Sequence, residues 1–144
     1  MWKALLVEDE PVVRRTLAGL IDWEANGFTL VGEAGDGEQA LAMIESERPD
    51  LVIADIVMPR MDGLTLLEKT KLTGQEPVFV MLTCMNEFEY ARRALELGAA
   101  GYVLKLSVSP ASLAGTLEKA GAELAKRYRE KTELAYHRGT RWLG

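Results

Sequence analysis

A chain of 144 residues that is 48% hydrophobic and 27% charged can bury a core and is too apolar to be disordered. No apolar run reaches the roughly 20 residues that span a bilayer, the start turns acidic too early for a signal peptide, and the single Cys84 excludes an internal disulfide and fits a reducing cytoplasm. The net charge of -5 divides into -9 over residues 1–125 and +4 over residues 126–144, so the acidic body argues against direct nucleic-acid binding and the basic end reads as a solvated helix end or linker.

Lys3 to Val7 reads as a first strand closing on Glu8-Asp9-Glu10, and Pro11 suits the first turn of a helix. Val13, Leu17, Leu20 and Ile21 recur at helical spacing, which predicts an amphipathic helix ending near Gly27. Phe28 to Gly32 follows as a short strand, and Asp36 caps a helix that carries Ala40, Leu41 and Ile44 inward. Leu51 to Ala54 is apolar enough for a parallel strand buried on both faces, and it delivers Asp55 at its C-terminal end. Beyond the turn Asp62-Gly63 a helix points Leu64, Leu67 and Leu72 inward. Val78 to Leu82 is another buried strand, ending in Thr83; Asn86 then caps a helix with Phe88, Ala91 and Leu95 on one face. Tyr102 to Leu104 is the last strand, ending in Lys105. Ser109-Pro110 opens a helix with Leu113, Leu117, Ala120 and Leu124 on its packing face, running past residue 130. Five strand–helix alternations predict an α/β fold, a doubly wound five-stranded parallel sheet with helices on both faces.

Glu8, Asp9, Asp55, Thr83 and Lys105 all follow the apolar part of a strand, and in a parallel sheet those ends share one rim. Three carboxylates on neighbouring strand ends repel one another unless a cation intervenes. Lys105 supplies one positive charge, and a hard divalent ion such as Mg²⁺ suits the remaining oxygens. A carboxylate beside Mg²⁺ and a lysine is a competent nucleophile toward a phosphoryl group, and Thr83 offers a hydroxyl to the transferred oxygens.

Over residues 3–124 the sequence resembles the receiver domain of two-component response regulators, particularly receivers attached to AraC-type DNA-binding domains. The resemblance rests on Leu6-Val7-Glu8-Asp9-Glu10-Pro11, on Asp55-Ile56-Val57-Met58-Pro59-Arg60-Met61-Asp62-Gly63, and on Thr83, Gly98-Ala99-Ala100-Gly101-Tyr102 and Lys105. Ile21 to Phe28 and Asn86 to Ala91 carry the narrower likeness. It implies a flavodoxin-like, CheY-like (βα)5 fold with strand order 2-1-3-4-5, over a domain of residues 1–125. Residues 126–144 would be a helical extension or the start of a linker to an absent output domain. It also implies that Asp55 accepts a phosphoryl group from a sensor histidine kinase. Asp9, Asp55 and the backbone carbonyl of Val57 would ligate Mg²⁺, with Glu8 helping through water. Thr83 and Tyr102 would be the switch pair and Lys105 the phosphate-binding lysine. The implied role is regulatory rather than enzymatic: a cytoplasmic module that forms a phosphorylation-dependent homodimer and reaches DNA only through another domain.

Two departures stand out. Leu106 follows Lys105 where the family usually has proline, so a trans bond and an altered lysine loop are expected. Glu8 stands where aspartate is common. These leave open a receiver-like dimerisation domain independent of phosphorylation. A nucleotide- or flavin-binding domain, or an aspartyl-phosphate hydrolase, is disfavoured. No glycine-rich loop follows the first strand, and Val57 replaces the second aspartate such a hydrolase needs. Cys84 reads as a small core residue, Trp23 and Phe88 as packing residues, and His137 as an exposed residue outside the site.

Overall fold

The computed structural model describes residues 1–143, with side chains described through residue 136. His137 therefore lies outside the described side chains. Five strands, β1 (Trp2–Val7), β2 (Phe28–Ala34), β3 (Leu51–Asp55), β4 (Val78–Thr83) and β5 (Gly101–Leu104), form one sheet in the order β2-β1-β3-β4-β5, every pair parallel. They alternate with helices α1 (Pro11–Ala18), α2 (Gly37–Glu47), α3 (Gly63–Leu72), α4 (Phe88–Glu96) and α5 (Pro110–Leu143). The fold and strand order are those expected from the sequence.

β3 and β4 are buried at every residue, because both of their faces are covered. One apolar layer joins Leu5, Val7, Val52, Ala54, Phe79 and Met81 to α2, α3 and α4. The other joins Ala4, Leu6, Ile53 and Leu82 to Leu17 of α1 and to Leu113, Leu117, Ala120 and Leu124 of α5. Capping follows the sequence: Asp36 accepts from Gln39 N at 2.8 Å, and Asp62 accepts from Thr65 N at 2.8 Å. Ser109 and Ser112 exchange side-chain-to-backbone bonds of 2.8 and 3.1 Å at the start of α5.

Several sequence expectations need correction. α1 ends at Ala18 rather than near Gly27, and Leu20 and Ile21 pack on the core from a turn instead. The Trp23 indole donates to the Ala18 carbonyl at 3.0 Å, which satisfies a backbone group freed by the early stop. β2 runs on to Ala34, because its upper half pairs with Leu5, Leu6 and Val7 after a register shift. In α3, Leu66 is buried and Leu72 is 87% exposed. At about 100° per residue, Leu72 lies on the side opposite Leu67 and Thr70. In α4 only Ala91 and Ala94 are buried; Phe88 is 61% and Leu95 41% exposed, on the flank of a narrow alanine contact. Asn86 does not cap α4. It sits inside a 3-10 turn, Met85–Glu87, whose leading residue Cys84 is half-buried rather than a core side chain.

The loop after β3 is held very close to the strand. Gly63 N donates to Ile56 O at 2.8 Å, and a Cβ at residue 63 would lie 2.7 Å from Asp55 O and 2.9 Å from Ile56 Cα. Gly115 on α5 has nothing within 4 Å of such a Cβ. Gly63→Ala should therefore destabilise the fold by about 1–3 kcal/mol, and Gly115→Ala should stabilise it by about 0.5–1 kcal/mol. Urea denaturation of the two variants measures both; equal effects would show that the close approach at residue 63 is not constrained.

Candidate functional site

Register brings the site together. Val7 pairs with Ala54, so Glu8 lies beside Asp55 at the C-terminal rim; Asp55 pairs with Leu82 and Thr83 with Leu104, which brings Thr83 and Lys105 to the same rim. Lys105 is the centre of the cluster. Its Nζ lies 2.8 Å from Asp55 Oδ2, 3.0 Å from Glu8 Oε1 and 3.8 Å from Glu10 Oε1. Glu8 and Asp55 are buried; Glu10 is mostly exposed. The backbone anchors both acids: Val57 N donates to Asp55 Oδ1 at 3.3 Å, and Glu10 N donates to Glu8 Oε1 at 3.2 Å. Arg14 Nη1 donates to the Glu8 carbonyl at 2.7 Å, fixing the start of the turn.

One lysine does not balance this pocket. Burial first, and then the Asp55 charge, pushes the Glu8 carboxyl up to about 7 against the pull of Lys105. Burial likewise raises Asp55 above the usual carboxylate range, opposed by the same lysine. Burial works against the Lys105 ammonium, but its bonds to Asp55 and Glu8 prevail and hold it protonated above the usual range. Burial raises the Cys84 thiol, which does not favour a thiolate nucleophile.

Glu8, Asp9 and Asp55 each offer a carboxylate oxygen within 4.8 Å of the others. Glu8 Oε2 is buried and has no hydrogen-bond partner among the described residues. An orphaned anionic oxygen beside two more hard oxygen donors fits a divalent cation such as Mg²⁺. Val57 follows this cluster on the loop after β3, half exposed.

Thr83 is buried at the rim, and its hydroxyl reaches Cys84 O at 3.2 Å and Glu87 Oε1 at 3.4 Å. Tyr102, 44% exposed, is on the outer strand β5. The peptide bonds are all trans among the described residues, Lys105–Leu106 included, and a 3-10 turn, Lys105–Ser107, follows β5 directly. The sequence reading missed Glu10 and Glu87. Glu10 was legible as a third consecutive acid on one strand end. Glu87 completes a capping box with Cys84, whose thiol conceals the usual Ser/Thr signature.

The family profile described as the response regulator receiver domain matches residues 4–118. The chain belongs to that family. This receiver domain is 36% identical over 136 residues to the transcriptional regulatory protein YesN of Bacillus subtilis, covering 94% of this chain and 37% of that protein. Its fold matches the REC domain of AraT, a response regulator from Geobacillus stearothermophilus, with a TM-score of 0.82 and 33% identity over 88% of this chain and 98% of that one. A two component transcriptional regulator AraC from Clostridium phytofermentans matches with a TM-score of 0.78 and 27% identity, over 88% of this chain and 97% of that one. The receiver spans 37–60% of the length of the first curated relatives it matches. Its relatives are regulatory proteins rather than conventional enzymes, and receiver domains bind Mg²⁺ at an acidic pocket of this kind. Among the described residues no helix is long and apolar enough to cross a membrane.

The Glu8 carboxyl titrates near 4.5 when unfolded and about 7 when folded. In the absence of divalent cations its penalty is absent below pH 4.5, grows as pH rises through that interval, and is complete above about 7. Glu8→Gln keeps an oxygen for Lys105 and Glu10 N, so in a chelating buffer its stability relative to wild type should rise between pH 4.5 and 7. Urea denaturation across that range measures the difference; a flat difference would contradict a surplus buried charge at Glu8.

Proposed function

We propose that the domain is a phosphorylation-switched signalling module that accepts a phosphoryl group on Asp55 from a sensor histidine kinase. The observation that carries this reading is the Asp55 carboxylate, buried at a strand end and paired with Lys105 at 2.8 Å beside a second buried carboxylate. An Asp55 oxygen attacks the phosphorus, the bond from phosphorus to the kinase imidazole breaks, and the imidazole leaves with that electron pair. Lys105 holds the nucleophile before transfer and neutralises a phosphoryl oxygen after it. Asp9, Asp55 and the Val57 carbonyl would hold Mg²⁺, with Glu8 helping through water. When bound, the ion neutralises charge on the phosphoryl oxygens. Thr83 then donates to a phosphoryl oxygen, and Tyr102 moves inward on β5.

That movement alters the face made by α4, β5 and α5. Arg92 there pairs within its own helix, 4.0 Å from Glu89 and 3.6 Å from Glu96, and Glu123 pairs with Arg127 at 3.1 Å. Exchange of these exposed pairs between two copies costs little and sets the geometry of a phosphorylation-dependent homodimer. A receiver spanning residues 1–125 would work in the cytoplasm and pass the signal through residues 126–144 to an output domain that controls transcription.

The test is intact mass after incubation with acetyl phosphate and Mg²⁺. The wild type should gain one phosphoryl group and Asp55→Asn none, with the variant's circular dichroism unchanged. No gain in the wild type would overturn this reading in favour of dimerisation independent of phosphorylation, and an undiminished gain in the variant would move the acceptor elsewhere.

A further inference from the structure

We infer that Glu87 is the positioning residue that keeps the Thr83 hydroxyl turned away from Asp55 until a phosphoryl group arrives. The inference rests on the phosphoacceptor reading of Asp55 and adds to it the group that resists the switch. Thr83 is buried, and a hydroxyl has one proton to donate. Its acceptors are Cys84 O at 3.2 Å and Glu87 Oε1 at 3.4 Å, neither of them a carboxylate of the acidic cluster. Glu87 is itself fixed. The same Oε1 accepts from Cys84 N at 2.8 Å, and Glu87 N donates to Cys84 O at 3.0 Å. These two bonds lock residues 84 and 87 together just before α4, and the Thr83 hydroxyl bonds to both.

Thr83 therefore cannot donate to a phosphoryl oxygen on Asp55 and to Glu87 at once. Phosphorylation becomes an exchange of the Cys84 carbonyl and the Glu87 carboxylate for a phosphoryl oxygen, and the Glu87 carboxylate, the anionic one of the two, opposes it by competing for the proton. Once Thr83 turns away, Glu87 loses one of its two donors, and the first turn of α4 loses a tie to the rim. α4 buries only Ala91 and Ala94, so little other packing holds it. Glu87 sets the threshold of the switch and links it to the helix that moves.

The probe is beryllofluoride with Mg²⁺, a mimic of the phosphoryl group, titrated into the full chain and followed by fluorine NMR. Glu87→Ala should bind it about three- to tenfold more tightly, the range expected for losing one competing hydrogen bond. Glu87→Asp keeps a carboxylate at the position but draws the shared oxygen back by one methylene, away from the more distant Thr83 hydroxyl, so it should shift affinity in the same direction and serves if the alanine variant fails to fold. Glu87→Gln, whose amide oxygen accepts both bonds, should return toward the wild type. In a Thr83→Ala background, removing Glu87 should change nothing. Unchanged or weaker binding by the Ala and Asp variants, or a gain that persists without the Thr83 hydroxyl, would overturn the role of Glu87. Wild-type binding separates that failure from one of the phosphoacceptor reading, because a wild type that binds no beryllofluoride overturns both.

Discussion

A single ammonium, Lys105, bridges two buried carboxylates on different strands, and the rest of the site is arranged around that shortage of positive charge. Asp55 and Glu8 lie 2.8 and 3.0 Å from it. Leaving either acid without the lysine would strand an uncompensated charge in the core, a change that typically costs about 3–5 kcal/mol. Strand order explains why a lysine is needed. β5 lies two strands from β3, about 10 Å across the sheet, and only a long side chain spans that gap. The pair does not neutralise Glu8 Oε2, which stays buried and unpartnered among the described residues. Three carboxylates against one lysine fit a divalent cation at this rim.

Around this pocket the scaffold divides into a fixed part and a yielding part. β3 and β4 are covered on both faces, and Gly63 is pressed against the backbone of Asp55 and Ile56, so Asp55 is held in place. On the other side, β5 is a four-residue edge strand, and α4 rests on two alanines. Deep packing resists small displacements, whereas a short edge strand and a shallow helix contact yield to them. Thr83 and Glu87 lie at the junction, with Tyr102 on the yielding side. On the proposed reading, a change of charge at Asp55 would be felt on the α4–β5 side while the strand carrying Asp55 stays fixed.

The sheet and most of the site were legible in the sequence because both rest on short-range signals. β3, β4 and β5 and the second half of β1 are apolar runs that end at or beside a polar residue, and parallel order carries those ends to one rim. Helix limits were less legible. Leu20 and Ile21 continue the helical period of α1 while packing from a turn, since burial selects apolar residues whether or not the backbone stays helical. Leu72 and Phe88 are apolar residues facing solvent, which no periodicity excludes. Glu87 was hidden for a different reason. Its partners are a threonine four residues away and a backbone N–H three residues away, and a local bond of that kind leaves a recognisable pattern only when the capping residue is Ser or Thr.

The central claim is that Asp55, rather than Glu8 or Asp9 beside it, forms the acyl phosphate, and reductive trapping tests it most directly. Borohydride delivers hydride to the carbonyl carbon of an acyl phosphate, releases phosphate and leaves an alcohol, so an aspartyl phosphate becomes homoserine. After incubation with acetyl phosphate and Mg²⁺, reduction and peptide sequencing by mass spectrometry, homoserine should appear at position 55 and nowhere else. Reduction at residue 8 or 9, with Asp55 recovered intact, would contradict the account.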